Sequence, residues 1–226
     1  MNVRRFLLNR EEIERLIEEE NLVEDYPNLE TQLTPNGFDL TVAGIFEFDT
    51  QGALDFSNKE RKISKEKEIF PQKENPQDKF GTSVTLSASG ERPSTSRGTH
   101  VLESPDLARD GSKDGELVGP FIEGRSRTIG WWNLKKGTYK IKTNETIKLP
   151  NDLVAFAFPR TSLLRMGAFT VHGVWDAGFM GKSEFILVVE NPHGIKIKQN
   201  ARIAQIVFVR IKETGRGYQG VYQENN

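Results

Sequence analysis

No cysteine occurs among these 226 residues. Disulfides, a thiolate nucleophile and Cys-ligated zinc are therefore excluded. Histidine is nearly as scarce, with three in the chain. His100 falls in a polar stretch and His193 in a turn, which argues against a three-His metal site. Neither sign of charge is in excess: 31 Lys and Arg against 32 Asp and Glu leave a net −1. The bulk charge thus points to neither nucleic acid nor an acidic-substrate trap, and an anionic ligand must be met by local cations. No apolar run approaches a membrane span. The apolar part of the first residues, up to Leu8, is too short for a signal peptide. With the missing cysteines, this agrees with a reducing cytoplasmic compartment.

What is present suggests one domain with an appendage. Apolar residues make up 36% of the chain, enough for a core. Asn9 followed by Glu12 forms a capping box, and Ile13, Leu16 and Ile17 then share one helical face. The spacing predicts a surface helix ending near Asn21. From Gly37 the period changes to that of strands, with Phe38, Leu40 and Val42 alternating and Ile45, Phe46 and Phe48 following. Residues 59–79 are dense in charge, as solvated loops and edges are. Residues 81–130 carry no apolar periodicity and read as a disordered insertion, too poor in apolar surface to offset the entropy of ordering. Strand signals resume at Trp131 and continue through Tyr139, Ile141, Ile147, Val154, Phe156, Phe158, Phe185–Val189 and Ile203–Ile211, separated by turns. Many short strands with regular turns imply an all-β sandwich or barrel. The expected organisation is an N-terminal helix and first strands over 1–80, the insertion over 81–130, a barrel core over 131–212 and a flexible tail over 213–226.

Four segments carry candidate chemistry. Arg160, Thr161 and Ser162 follow a strand end, where hydroxyls, backbone N–H groups and a guanidinium can cradle phosphate. A short helical turn would bring Arg165 to the same side. Asp176 lies between Val174-Trp175 and the turn Gly178-Phe179-Met180-Gly181. Beside aromatic walls it would be partly desolvated and could act as a base toward water; alternatively it is a turn aspartate bonded to its own backbone. Gln205 sits in a strand. Arg216, Tyr218 and Gln219 lie in a glycine-rich tail that could hold phosphate and stack, or simply fray. His172, four residues before Asp176, reads as structural, because no suitably placed serine or second histidine accompanies it.

In this order the segments resemble the trimeric dUTPase and dCTP deaminase superfamily, and most of all the archaeal deoxyuridine triphosphate nucleotidohydrolases. Residues 30–40 look like the first family motif, Pro159–Gly167 the second, Gly173–Gly181 the third, Ala201–Ile206 the fourth and Arg216–Tyr222 a variant of the fifth. The resemblance implies a distorted β-barrel or jelly roll, assembled as a homotrimer with sites between subunits. It implies that Asp176 orients water at the α-phosphorus of dUTP, releasing pyrophosphate and dUMP. Gly173 and Val174 would read uracil through their backbone, and Phe179 would lie against the deoxyribose. Arg160, Thr161, Ser162, Arg165 and Gln205 would hold the phosphates, and Arg216, Tyr218 and Gln219 would close over them. Mg2+ would be carried by the triphosphate and waters rather than by a protein cluster, with no nucleic-acid or membrane partner. Thr161 stands where serine is commoner and keeps the hydroxyl. Deaminases of the superfamily carry a glutamate on the strand after the third motif, and a count from Asp176 puts that position at Ile186, which cannot shuttle protons. Glu184 and Glu190 share its strand parity. The reading is a dUTP diphosphatase, with a dCTP deaminase, a bifunctional enzyme or a non-catalytic nucleotide-binding regulator as alternatives.

Overall fold

Helix α1 (Arg10–Glu20) begins where the capping box places it. The Asn9 side chain accepts from the Glu12 N–H, and the Glu12 carboxylate accepts from the Asn9 N–H. It ends at Asn21 in the left-handed conformation, and Ile13, Leu16 and Ile17 are its buried face. A computed structural model describes residues 6–73 and 129–223 of the chain. The expected insertion, apart from residues 129 and 130, lies outside them, as do residues 74–80.

After α1 come β1 (Val23–Glu24), α2 (Leu29–Gln32), β2 (Leu33–Thr34), β3 (Gly37–Phe48) and the edge strand β4 (Glu66–Ile69). Then follow β5 (Trp131–Leu134), β6 (Gly137–Lys148), β7 (Leu153–Pro159), the single-turn helix α3 (Thr161–Arg165) and β8 (Ala168–Val171). The last strands are β9 (Met180–Val189), β10 (Ile195–Lys198) and β11 (Arg202–Arg210). The main sheet runs β7-β11-β3-β6-β9-β8, with β1 added to β6 and with β2 and β4 added to β3; β5 and β10 form a separate pair. All these pairings are antiparallel.

The sheet curls until its ends meet. Trp175, just beyond β8, exchanges two backbone hydrogen bonds with Ala155 of β7, at 3.0 and 3.1 Å. The third-motif loop therefore closes the barrel. Its core is lined by Phe38, Leu40, Ile141, Leu153, Leu187 and Phe208, all fully buried. Curling has a consequence for β3: residues 37–42 are buried on both faces, so Asp39 and Thr41 are interior, not the solvent side of an alternating strand. No helix among the described residues is long and apolar enough to cross a membrane.

Strand β6 departs from regular pairing at the same level. Lys142 faces Glu184 and Thr146 faces Lys182, so β6 spends four steps where β9 spends two. Such a bulge turns side chains out of the ladder direction. It aims Asn144 and Glu145 at Thr41 of β3.

Candidate functional site

The second motif sits where β7 ends. Arg160 is the N-cap residue of α3, its N–H donates to Ile203 O at 3.1 Å, and Thr161 and Ser162 are exposed on the first turn. Arg165 ends that turn, also exposed. The Arg160 guanidinium is held from behind by Asp39, Nε to Oδ2 3.1 Å, and the same oxygen lies 3.3 Å from Arg202 Nη1. Arg202 also donates to Thr31 O at 2.8 Å. One buried carboxylate oxygen thus sets two guanidiniums. Burial pushes the Asp39 carboxyl up, against the pull of both arginines. Burial likewise lowers Arg160, against the pull of Asp39. Both partners move toward neutrality, so the trio serves geometry more than stability.

Gln205 lies beside them, its Nε2 donating to Thr34 Oγ1 at 2.8 Å. Gly37 permits this approach: a Cβ there would meet Ile206 O at 2.5 Å and Gln205 Nε2 at 2.9 Å. Backbone cannot yield as a flexible side chain does. Gly37→Ala is therefore expected to destabilise the fold by about 1–3 kcal/mol, the usual scale of overpacking, as read by urea unfolding.

The third motif is built differently. Trp175 points inward, its Nε1 donating to Ser183 Oγ at 2.9 Å, and Ala177 is also buried. Asp176, between them, is exposed. The partial desolvation expected of it is absent in the single chain, because both neighbouring side chains turn away from it. Nor does its carboxylate cap the turn. The Phe179 N–H goes to the Asp176 backbone oxygen at 3.0 Å, and the side chain makes no hydrogen bond or ion pair among the described residues. Gly173 and Val174 are exposed just upstream. His172 is half-buried, 4.4 Å from Phe185 and 5.9 Å from Trp175 between ring centroids. Burial pushes it down to about 4, partly offset by a bond to the Ala157 backbone, so it is neutral at physiological pH.

The tail lies on the third motif of its own chain. The Tyr218 N–H donates to Ala177 O at 2.7 Å, and Gln223 Nε2 donates to Gly178 O at 3.1 Å. The Tyr218 ring stands edge-on to Phe179 at 5.7 Å, and Phe179 is buried. Arg216 and Gln219 are exposed.

The structure thus brings Arg160 and Gln205 together, and separately Asp176, Phe179 and Tyr218. It does not bring the two groups together. Asp176 adjoins Ala155 near the start of β7, while Arg160 follows its end, about 16 Å away at strand rise. Sequence reasoning missed Asp39 and Arg202 as site residues. For Asp39 the signal was a charged residue inside a strand segment buried on both faces, and alternation alone hid it.

Residues 132–211 match the family model described as dCTP deaminase-like. The chain is 33% identical over 220 residues to a probable deoxyuridine 5'-triphosphate nucleotidohydrolase of Archaeoglobus fulgidus, covering 97% of each. It is 35% identical over 222 residues to the Methanosarcina mazei protein of the same name, covering 97% of this chain and 98% of that one. The chain belongs to the dUTPase and dCTP deaminase superfamily. Another superfamily member, the deoxyuridine 5'-triphosphate nucleotidohydrolase of Methanocaldococcus jannaschii, is 31% identical over 88% of this chain and 92% of its own. The fold agrees with the crystal structure of 2'-deoxycytidine 5'-triphosphate deaminase from Agrobacterium tumefaciens, at TM-score 0.51 and 16% identity over 91% of this chain and 48% of that one.

Proposed function

We propose that this superfamily member is a dUTP diphosphatase that works as a homotrimer, with each site shared between copies. The observation that carries the reading is Asp176: a carboxylate held on a barrel-closing loop, facing out, with no hydrogen bond or ion pair from its side chain among the described residues. A turn aspartate would be spent on the turn. This one is left for a water and a substrate.

The phosphate-holding half is equally one-sided. Arg160, Thr161 and Ser162 stand at the far end of β7, and Arg160 is tied back toward Asp39. The separation is much longer than the stretch of a triphosphate from its α- to its terminal phosphorus. One chain cannot serve both ends, but a second copy can. Between the two halves lies an exposed apolar face, with Phe158 59% exposed and Phe156, Leu164, Phe169, Val171 and Val174 also outward. An apolar face of this kind marks a contact surface.

In the assembled site a water held by Asp176 attacks the α-phosphorus and its proton passes to the carboxylate. The new P–O bond forms as the bond to the bridging oxygen breaks, and pyrophosphate leaves with that electron pair. The arginines and hydroxyls hold the negative charge in place. No group of three or more His, Asp or Glu side chains able to hold a metal occurs among the described residues. On this reading Mg2+ would arrive on the triphosphate, where it would neutralise phosphate charge.

Deamination is disfavoured on β9. Ile186 occupies the aligned position, opposite Lys140 and Val171. Glu184 is 2.9 Å from Lys140 Nζ and Glu190 is 2.6 Å from Lys136 Nζ, so both carboxylates are engaged by lysines. The test is product identity. With magnesium, dUTP should give dUMP and pyrophosphate, and dCTP should release no ammonia. Ammonia from dCTP would replace this reading with the deaminase; no product from either would favour a binding module.

A further inference from the structure

We propose that Glu145 is a positioning residue for the phosphate-holding arginines, fixing β3 on both sides of Asp39. The inference rests on the reading of Arg160 as a phosphate ligand, with Arg202 bound to the same Asp39 oxygen. Glu145 is 0% exposed and sits in the β6 bulge. Its Oε1 accepts from Gln32 Nε2 at 2.7 Å and from Thr41 Oγ1 at 2.5 Å, and its Oε2 accepts from the Thr41 N–H at 3.0 Å.

The direction of every bond is determined. Gln32 Oε1 accepts from the Asn28 N–H at 2.9 Å, which fixes the amide; its Nε2 then gives one proton to Glu145 and the other to Asp39 O, at 2.8 Å. The Thr41 hydroxyl accepts from Asn144 Nδ2 at 2.8 Å, so its own proton goes to Glu145. Glu145 therefore grips the Asp39 carbonyl through Gln32 and grips β3 directly two residues later. The Asp39 side chain, thus held, sets both guanidiniums.

The partners of this carboxyl are donors only. A protonated carboxyl would need an acceptor and would have to give up one of these bonds. Around it, α2 supplies Gln32, β3 supplies Asp39 and Thr41, the turn before β11 supplies Asn200, and β9 supplies Lys182, which donates to Asn144 O at 2.6 Å. Of these, Asp39 and Lys182 carry charge. Burial is the main cause that raises Glu145, to about 7, against its donors. Because the folded value lies above the unfolded one, the stability linked to this group is present below about 4.5 and is lost as pH rises through about 7. Nucleotide affinity should move the opposite way, rising as Glu145 ionises and the grip on Asp39 completes.

The test measures Kd for a non-hydrolysable α,β-imido dUTP analogue from pH 5.5 to 8.5 in wild type, Glu145→Gln and Thr41→Val, with thermal unfolding alongside. Glu145→Gln places an amide N–H against donors, and affinity should fall about tenfold at pH 8, the scale of a lost charge-assisted bond. The terminal phosphate titrates in the same range but equally with each protein, so the difference between proteins reports Glu145. That difference should vanish toward pH 5.5. Thr41→Val keeps the backbone bond and should show a smaller loss with the same pH trend, and it carries the test if Glu145→Gln does not fold. A folded Glu145→Gln protein with wild-type Kd at every pH would overturn the inference, as would a loss of affinity independent of pH, which marks a merely structural role. If wild type does not bind the analogue, the phosphate-ligand reading fails first and this inference falls with it.

Discussion

Asp176→Asn should lower kcat for dUTP by about 10²–10⁴-fold, the usual worth of a positioned general base, while leaving the affinity for the imido analogue unchanged or slightly higher. The side chain is exposed and makes no hydrogen bond or ion pair among the described residues, and its neighbours Trp175 and Ala177 provide the burial at that point. Asparagine has the same shape, so the loop should keep its pairing with Ala155 and unfolding should be nearly unaltered. What is lost is the ability to take a proton from water at the moment the α-phosphorus is attacked. The measurement is single-turnover hydrolysis beside calorimetric binding. Retention of activity within a few fold would show that another group activates the water. Equal losses in binding and turnover would make Asp176 a ligand for the nucleotide, not its base.

The local elements that carry the candidate site were legible from local patterns, and the parts that were not depend on contacts far apart in the chain. The capping box at Asn9 and Glu12, the strand alternation and the hydroxyl-bearing turn after Pro159 are encoded within a few residues, and they appear where expected. The polar members of β3 are different. Asp39 and Thr41 alternate with Phe38 and Leu40 as a solvent face would, but barrel closure buries both sides. Glu145 stands in a lysine- and threonine-rich strand with nothing local to mark it, and the β6 bulge turns it inward. No local period reports a bulge, or the partner it faces more than a hundred residues away. Asp176 shows the reverse error. Aromatic neighbours in sequence suggested a walled carboxylate, yet the pleat that buries Trp175 exposes Asp176.

Two inactive proteins should restore activity to each other. On the proposed reading Asp176→Asn lacks the base, and Arg160→Ala lacks a phosphate ligand, the two residues lying at opposite ends of β7. If one chain supplied both residues to one site, every site in a mixed assembly would carry one defect and the mixture would stay inactive. If the Asp176 half of one copy meets the Arg160 half of the next, some sites in mixed trimers combine two intact halves. In a closed cyclic trimer that holds both variants, one neighbour pair of the three joins an intact Asp176 half to an intact Arg160 half, so about a third of the sites should recover in the mixed species. Co-expression with two different affinity tags, followed by sequential purification and a dUTP turnover assay, isolates the mixed species. Zero recovery in a demonstrably mixed trimer would place the whole site in one chain and would require β7 or the third-motif loop to rearrange, because the Ala155–Trp175 pairing and the Asp39–Arg160 ion pair hold the two halves apart. Arg160→Ala also leaves Asp39 with Arg202 alone, so a folded, trimeric state of that variant is the necessary control.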